Sequence, residues 1–114
     1  MNKKPHIYIL AGPTGVGKTA LAVRIAGLWK TEIISADSMQ IYRQMRIGTG
    51  RPEPEELQGV PCRLTGTVDI DEKYDLARFI SEADHHIRRL AGERKPPLVA
   101  GGTGLYIKGV IEGV

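Results

Sequence analysis

A segment near the start of the chain has the composition and spacing of a phosphate-binding loop, or P-loop. Its residues are Gly12, Pro13, Thr14, Gly15, Val16, Gly17, Lys18 and Thr19, which fit the pattern G-x-x-x-x-G-K-[ST]. Glycines let successive backbone N–H groups point at phosphate oxygens, and a following helix start adds further donors. Lys18 supplies a positive charge, and the Thr19 hydroxyl is a ligand that Mg²⁺ accepts. The segment predicts binding of the phosphates of a nucleotide such as ATP, or of another diphosphate-bearing substrate.

A second candidate, Asp37, ends the short apolar run Glu32–Ala36. Open α/β sheets bind ligands at the carboxyl ends of their strands, where a carboxylate can act as a general base or bind metal. From position alone, Asp37 is equally an N-cap for a short helix over Ser38–Tyr42, and capping does not exclude chemistry. The third apolar run has no acid at its end but continues into Gly101, where many P-loop NTPases carry a metal-binding aspartate. This argues against an ATPase motor and leaves magnesium to Thr19, substrate phosphates and water.

The elements that would position these residues follow from hydrophobic patterning. The predicted strands are the apolar runs His6–Ala11, Glu32–Ala36 and Leu98–Ala100. Between the first two, a helix is predicted to begin at Lys18, and Leu21, Ile25 and Leu28 are expected to form its apolar stripe, with Ala22 and Ala26 beside them. Strand, helix and strand in this order make a βαβ unit with parallel strands and a right-handed crossover.

Two further helices are predicted in the second half of the chain. The first is capped by Asp75 and ends at Gly92, and its apolar stripe is Leu76, Ile80, Ala83, Ile87 and Leu90. The second covers Leu105–Ile111, and the glycine- and proline-rich segment Arg46–Lys73 is predicted to be irregular. The order predicts an α/β fold over residues 1–114, with a P-loop NTPase-like parallel sheet and flanking helices. Three strands are few for such a sheet, so we expect a truncated, N-terminal portion of a longer protein.

Composition and charge are those of an ordinary soluble protein. The chain has 114 residues, of which 41% are hydrophobic and 25% charged, and its net charge is +3. No apolar run is long enough to cross a bilayer and no signal-peptide pattern is present, so we expect a cytoplasmic monomer without a membrane partner. The single cysteine, Cys62, lacks metal-ligand spacing and is expected to be inert. For the cluster Arg43, Arg46 and Arg51, charge alone favours a solvated surface.

Four strings in the chain resemble the tRNA dimethylallyltransferase family, also called tRNA isopentenyltransferase. They are Gly12–Thr19, Ile33–Arg43, Ile47–Thr49 and Gly101–Tyr106, and the resemblance spans essentially the whole chain. The family transfers a dimethylallyl group from dimethylallyl diphosphate to N6 of an adenine beside the tRNA anticodon, releasing diphosphate. The resemblance therefore implies an enzyme that uses Mg²⁺ and binds the anticodon stem-loop of tRNA.

Residue by residue, the resemblance implies roles for matching positions. Lys18 and the loop amides would hold the diphosphate, Thr19 would serve the magnesium, and Asp37 would accept the proton of the adenine amine. The residues implied to contact tRNA are Asp37, Ser38, Met39, Gln40 and Thr103. For Thr103, an N-cap of the helix at Leu105 is the alternative. With a tRNA substrate implied, the arginine cluster of residues 43, 46 and 51 becomes equally interpretable as a phosphate contact.

The chain departs from the family's pattern in one stretch that bears on the argument below. Cys62 and Arg63 stand where the family usually has two histidines, and the next residues differ as well. Three alternatives stay open on sequence alone: a P-loop small-molecule kinase in which Asp37 activates a hydroxyl, an adenylate isopentenyltransferase, or a catalytically silent chain that binds phosphate or nucleic acid. The Ser35–Arg43 string favours the tRNA enzyme over the first two.

Overall fold

A computed structural model describes residues 6–12, 17–45 and 51–112. The predicted phosphate contacts of Pro13, Thr14, Gly15 and Val16 therefore lie outside the described residues, as does Arg46.

The described strands form one parallel sheet, which confirms the predicted α/β fold. The strands are β1 Tyr8–Ala11, β2 Ile33–Ser35, β3 Cys62–Arg63 and β4 Leu98–Gly101, and their order is β1-β4-β2-β3. Strand β4 lies between β1 and β2, and its Val99 is fully buried. The prediction of three strands was wrong by one, because β3 lies in the segment predicted to be irregular. A pair of residues is too short to carry a period-2 signal.

Four helices flank the sheet in the described part of the chain. They are α1 Lys18–Trp29, α2 Pro54–Leu57, α3 Leu76–Gly92 and α4 Gly104–Glu112. The predicted cap of α3 is confirmed, since the Asp75 carboxylate accepts a hydrogen bond from Arg78 N, and so is its end at Gly92. The short helix α2 was not predicted, although Glu53 and Glu56 form a capping box around its first turn. None of these helices is long and apolar enough to cross a membrane.

The predicted apolar stripe of α1 was wrong for Leu21 and Leu28, whereas Ala22, Ala26 and Ile25 do pack in the core. Leu21 is 47% exposed and Leu28 is 73% exposed, whereas the buried residues of the helix are Ala22, Val23 and Ala26. Small side chains on that face let the helix axis approach the sheet closely, and the leucines flank the contact instead of making it. Periodicity located the helix but not its rotation, because two overlapping stripes fit the same spacing.

Two apolar layers cover the two faces of the sheet. Successive strand residues point to opposite faces, so Ile33 packs under α1 and α2, whereas Ile34 packs under α3 and α4. Helix α4 comes close to α3 at Gly109, where an added Cβ would lie 2.8 Å from Ile80 Cδ1. The carboxyl ends of β1, β2 and β4 meet at one edge of this sandwich, and the loops that follow them carry the candidate site.

Candidate functional site

A cleft at the carboxyl edge of the sheet brings together residues from distant parts of the chain. It has about 450 Å³ of empty space, counted out to its open mouth. Its polar lining residues are Lys18, Thr19, Ser35, Asp37 and Gln40. The predicted phosphate-binding and general-base residues therefore share one cleft.

The start of α1 supplies the side of the cleft that is predicted to bind phosphate. Gly17 caps the helix with φ of +77°, a conformation that favours glycine. Lys18 Nζ donates a hydrogen bond of 2.6 Å to Gly12 O. Burial lowers the pKa of Lys18 below its usual value, and the charge of Asp37 opposes this shift. The ammonium group is thus anchored to the backbone at the end of β1.

Asp37 is held in one orientation in the same cleft. Its side chain is nearly buried, and Oδ1 accepts hydrogen bonds from Met39 N at 2.9 Å and Gln40 N at 3.2 Å. The capping interpretation of Asp37 is therefore correct, although the turn over residues 38–41 is not an α-helix. Both of these hydrogen bonds are accepted by Oδ1.

The loop after β4 fixes the segment that carries Asp37. Ser38 N donates to Thr103 Oγ1 at 2.9 Å, and the same hydroxyl donates to Ser38 Oγ at 3.3 Å. Thr103 N donates to Ala36 O at 3.2 Å. The Thr103 side chain therefore ties two loops together, while its backbone oxygen accepts from Ile107 N in the first turn of α4. Its predicted contact with tRNA is untested.

Gly101 permits this close approach of the two loops. A Cβ added at Gly101 would lie 2.2 Å from Ala36 O, far inside van der Waals contact. No side chain fits there without moving the backbone before Asp37, so the aspartate that many P-loop NTPases carry at this strand end cannot be accommodated. Sequence reasoning noted the missing acid but not the steric reason for it.

The other predicted tRNA-binding residues lie around the mouth of the cleft. Met39 is 46% exposed, Ser38 is half-buried, and Gln40 lines the cleft itself. An exposed thioether beside a carboxylate offers a flat base both an apolar surface and a hydrogen-bond acceptor. The contact of these residues with tRNA stays a prediction.

Two of the three clustered arginines stabilise local structure. Arg51 Nη1 donates to Tyr42 O at 2.9 Å and to Arg43 O at 3.1 Å. Arg43 donates to Thr67 O at 2.9 Å and forms an ion pair with Glu72 at 3.5 Å. These guanidinium groups bind the turn after β2 to neighbouring segments, so their positions are explained without nucleic acid.

Sequence reasoning missed the apolar half of the cleft. The residues that form it are Ala22, Ile33, Pro52, Leu57, Cys62 and Ala100. Burial raises the pKa of the Cys62 thiol to about 12, which keeps it protonated and agrees with the expectation that it is inert. Its place in the wall of the cleft had no signal in the sequence, because it depends on the pairing of the two-residue strand β3 with β2.

The oxygen atoms in the cleft suit magnesium held jointly with a substrate. The described residues contain no group of three or more His, Cys, Asp or Glu side chains that could hold a metal ion. Mg²⁺ is commonly bound by one or two protein oxygens together with phosphate oxygens and water. Thr19 in the first turn of α1, close to where the diphosphate would lie, provides such an oxygen.

The family model described as IPP transferase matches residues 40–114. The chain belongs to the IPP transferase family. It is 46% identical over 113 residues to tRNA dimethylallyltransferase 1 of Syntrophotalea carbinolica, covering 99% of the chain and 36% of that relative.

Solved structures of this family share the fold. The full-length tRNA isopentenylpyrophosphate transferase of Bacillus halodurans superposes with a TM-score of 0.89 and 40% identity, covering 98% of the chain and 37% of that structure. The structure of a eukaryotic dimethylallyltransferase acting on tRNA superposes with a TM-score of 0.84 and 35% identity, covering 90% of the chain and 25% of that structure. The chain thus spans about a third of the length of the curated relatives it matches.

Proposed function

We propose that this chain forms the catalytic part of a tRNA dimethylallyltransferase. The reaction is transfer of a dimethylallyl group from dimethylallyl diphosphate to N6 of an adenine next to the tRNA anticodon. The observation that carries the proposal is the cleft at the carboxyl edge of the sheet, which Lys18 and Asp37 line together. The names and activities of its relatives support the choice of substrates.

The chemistry assigns a separate task to each side of the cleft. The C1–O bond of the allylic diphosphate breaks, its electron pair leaves with the diphosphate, and a bond forms between C1 and N6. Lys18 and the N-terminal amides of α1 stabilise the charge that accumulates on the departing diphosphate. The Asp37 carboxylate takes the proton that N6 loses, so that all atoms and charges are accounted for.

Magnesium and tRNA complete the proposal. Thr19 would hold Mg²⁺ together with the diphosphate oxygens, and the ion would supply additional neutralisation of the leaving group. The adenine leaves its stack to reach Asp37, as bases modified by other enzymes do. Ser38, Met39 and Gln40 contact the flipped base and its neighbours, and Thr103 keeps their turn in place. We propose a cytoplasmic monomer as the acting form.

A binding titration tests the phosphate side of the proposal. In Lys18→Ala, we expect the affinity for dimethylallyl diphosphate with Mg²⁺ to fall by about tenfold or more, because a charge-assisted hydrogen bond is lost. Isothermal titration calorimetry on the 114-residue chain measures it, and Lys108→Ala, on the exposed side of α4, is the matched control. Equal affinities for the wild type and Lys18→Ala would remove the P-loop from the mechanism.

A further inference from the structure

The cleft is amphiphilic, and its apolar half has no task in the mechanism above. Lys18, Thr19 and Asp37 line its polar part, at the carboxyl edge of the sheet, whereas the half-buried Leu57 and Cys62 line its apolar part. An apolar surface does not stabilise the binding of phosphate groups. It does stabilise the binding of a substrate that carries a hydrocarbon group next to its phosphates.

The register of the sheet gives the depth of the apolar part. Ile33 lies two residues before Ser35 on the same face of β2 and pairs with Cys62 of β3. At 3.2–3.4 Å per strand residue, this level lies roughly 7 Å below Ser35 at the mouth. Ala22 lies about one turn of α1 below Lys18, so the helix wall becomes apolar over a similar depth.

Helix α2 closes this inner part. Leu57 and Val60 pack against the apolar layer under α1, and Val60 N donates to Leu57 O at 2.8 Å. Ile33 N donates to Pro61 O at 2.9 Å, which continues the connection between this segment and β2. Leu57 and Cys62 are thereby fixed at the inner end, and Val60, close to both in sequence, does not line the cleft.

We infer that Leu57 and Cys62 form the floor of a prenyl-binding pocket and limit the length of the prenyl chain that the protein accepts. The inference rests on the proposed function and goes beyond it by assigning substrate specificity to these residues. With the diphosphate at Lys18, a five-carbon chain reaches the floor and is removed from contact with water. A ten-carbon chain is longer than the pocket is deep and must displace Leu57 or Cys62.

Three ligands with the same diphosphate group separate the two parts of the cleft. Methyl diphosphate contacts only the polar part of the cleft. The hydrocarbon chain of dimethylallyl diphosphate also reaches Leu57 and Cys62, and that of geranyl diphosphate is longer than the pocket is deep. For the wild-type chain with Mg²⁺, we expect dimethylallyl diphosphate to bind about tenfold or more tightly than methyl diphosphate, because four more carbons leave water. Geranyl diphosphate is expected to bind no more tightly than dimethylallyl diphosphate.

Two substitutions change the floor in opposite directions. Cys62→Leu fills it, and we expect the affinity for dimethylallyl diphosphate to fall by about tenfold while that for methyl diphosphate stays the same. Leu57→Ala opens it, and the affinity for geranyl diphosphate relative to dimethylallyl diphosphate is expected to rise by about tenfold. Val60→Ala, in the same segment and apolar layer, is the control that leaves all three affinities unchanged.

The outcomes distinguish the inference from the proposed function. If both floor variants keep the wild-type ratios among the three ligands within about twofold while methyl diphosphate still binds, the pocket assignment is wrong and the phosphate site stands. If neither methyl nor dimethylallyl diphosphate binds the wild type, the proposed function fails and the inference fails with it. Should Cys62→Leu not fold, Leu57→Ala and Val60→Ala decide the question by the same ratios.

Discussion

At the scale of single residues, Glu32 is a carboxylate buried far from the proposed chemistry. Its side chain is 8% exposed and accepts hydrogen bonds from Arg63, at 2.9 Å, and from Arg89. The hydrogen bond from Arg63 is the main cause that lowers the pKa of Glu32 to about 2, and Arg89 adds to it against the effect of burial. A buried carboxylate between two guanidinium groups connects the start of β2 to β3 and α3.

This arrangement predicts a particular loss of stability in acid. Because the folded pKa of Glu32 lies below its usual 4.5, its contribution is complete above about pH 4.5 and is lost as the pH falls towards 2. The contribution at neutral pH is on the order of 3 kcal/mol. Urea unfolding at pH 7 and pH 3 should show a larger acid loss for the wild type than for Glu32→Gln. Equal losses in the two proteins would exclude Glu32 as a source of acid sensitivity.

At the scale of elements, the close contact between the ends of β2 and β4 positions the proposed base. Gly101 lies against Ala36, and Thr103 holds Ser38, so the segment on either side of Asp37 is fixed by the loop after β4. The position of Asp37 thus depends on residues more than sixty positions later in the chain.

Gly101→Ala tests this dependence. The added methyl group would strike the Ala36 carbonyl, so we expect a loss of about 1–3 kcal/mol or more of unfolding free energy. The control is Gly27→Ala in α1, where an added Cβ meets nothing within 4 Å and a gain of about 0.5–1 kcal/mol is expected. Chemical denaturation of the two variants measures both effects. A Gly101→Ala variant as stable as the wild type would show that the contact is not tight.

The elements also show what the sequence could and could not predict. Helix α3 was predictable because its apolar residues recur over seventeen positions, with Asp75 and Gly92 marking its limits. Strand β3 and helix α2, with two and four residues, are shorter than any period that could identify them. The apolar floor could therefore not be predicted from the sequence, because Leu57 and Cys62 come from those two elements and meet only through the pairing of β3 with β2.

At the scale of the whole molecule, parallel connections gather the site from segments that are distant in sequence. Lys18, Asp37 and Gln40 could be predicted to lie together, because each follows a strand whose carboxyl end meets the same edge of the sheet. The relatives are about three times as long as this chain, so the tRNA surface proposed here comprises only the residues at the mouth of the cleft. We expect a polypeptide of these 114 residues to transfer little or no dimethylallyl group by itself.

Label transfer by a chimera tests the central claim most directly. The chimera joins residues 1–114 of this chain to the part of the Bacillus halodurans enzyme that lies outside the match, and the assay follows labelled dimethylallyl diphosphate into a tRNA anticodon stem-loop. Asp37→Asn keeps the size and capping ability of Asp37 but removes the base. Asp84→Asn, in an ion pair of 2.9 Å with Arg88 on the surface of α3, is the matched control.

In Asp37→Asn, we expect kcat to fall by about 10²–10⁴-fold, with unchanged binding of dimethylallyl diphosphate and an unchanged Tm. The Asp84→Asn chimera is expected to turn over at the rate of the unsubstituted one. Turnover of Asp37→Asn within about threefold of the unsubstituted chimera would contradict the account, because Asp37 would then only cap its turn.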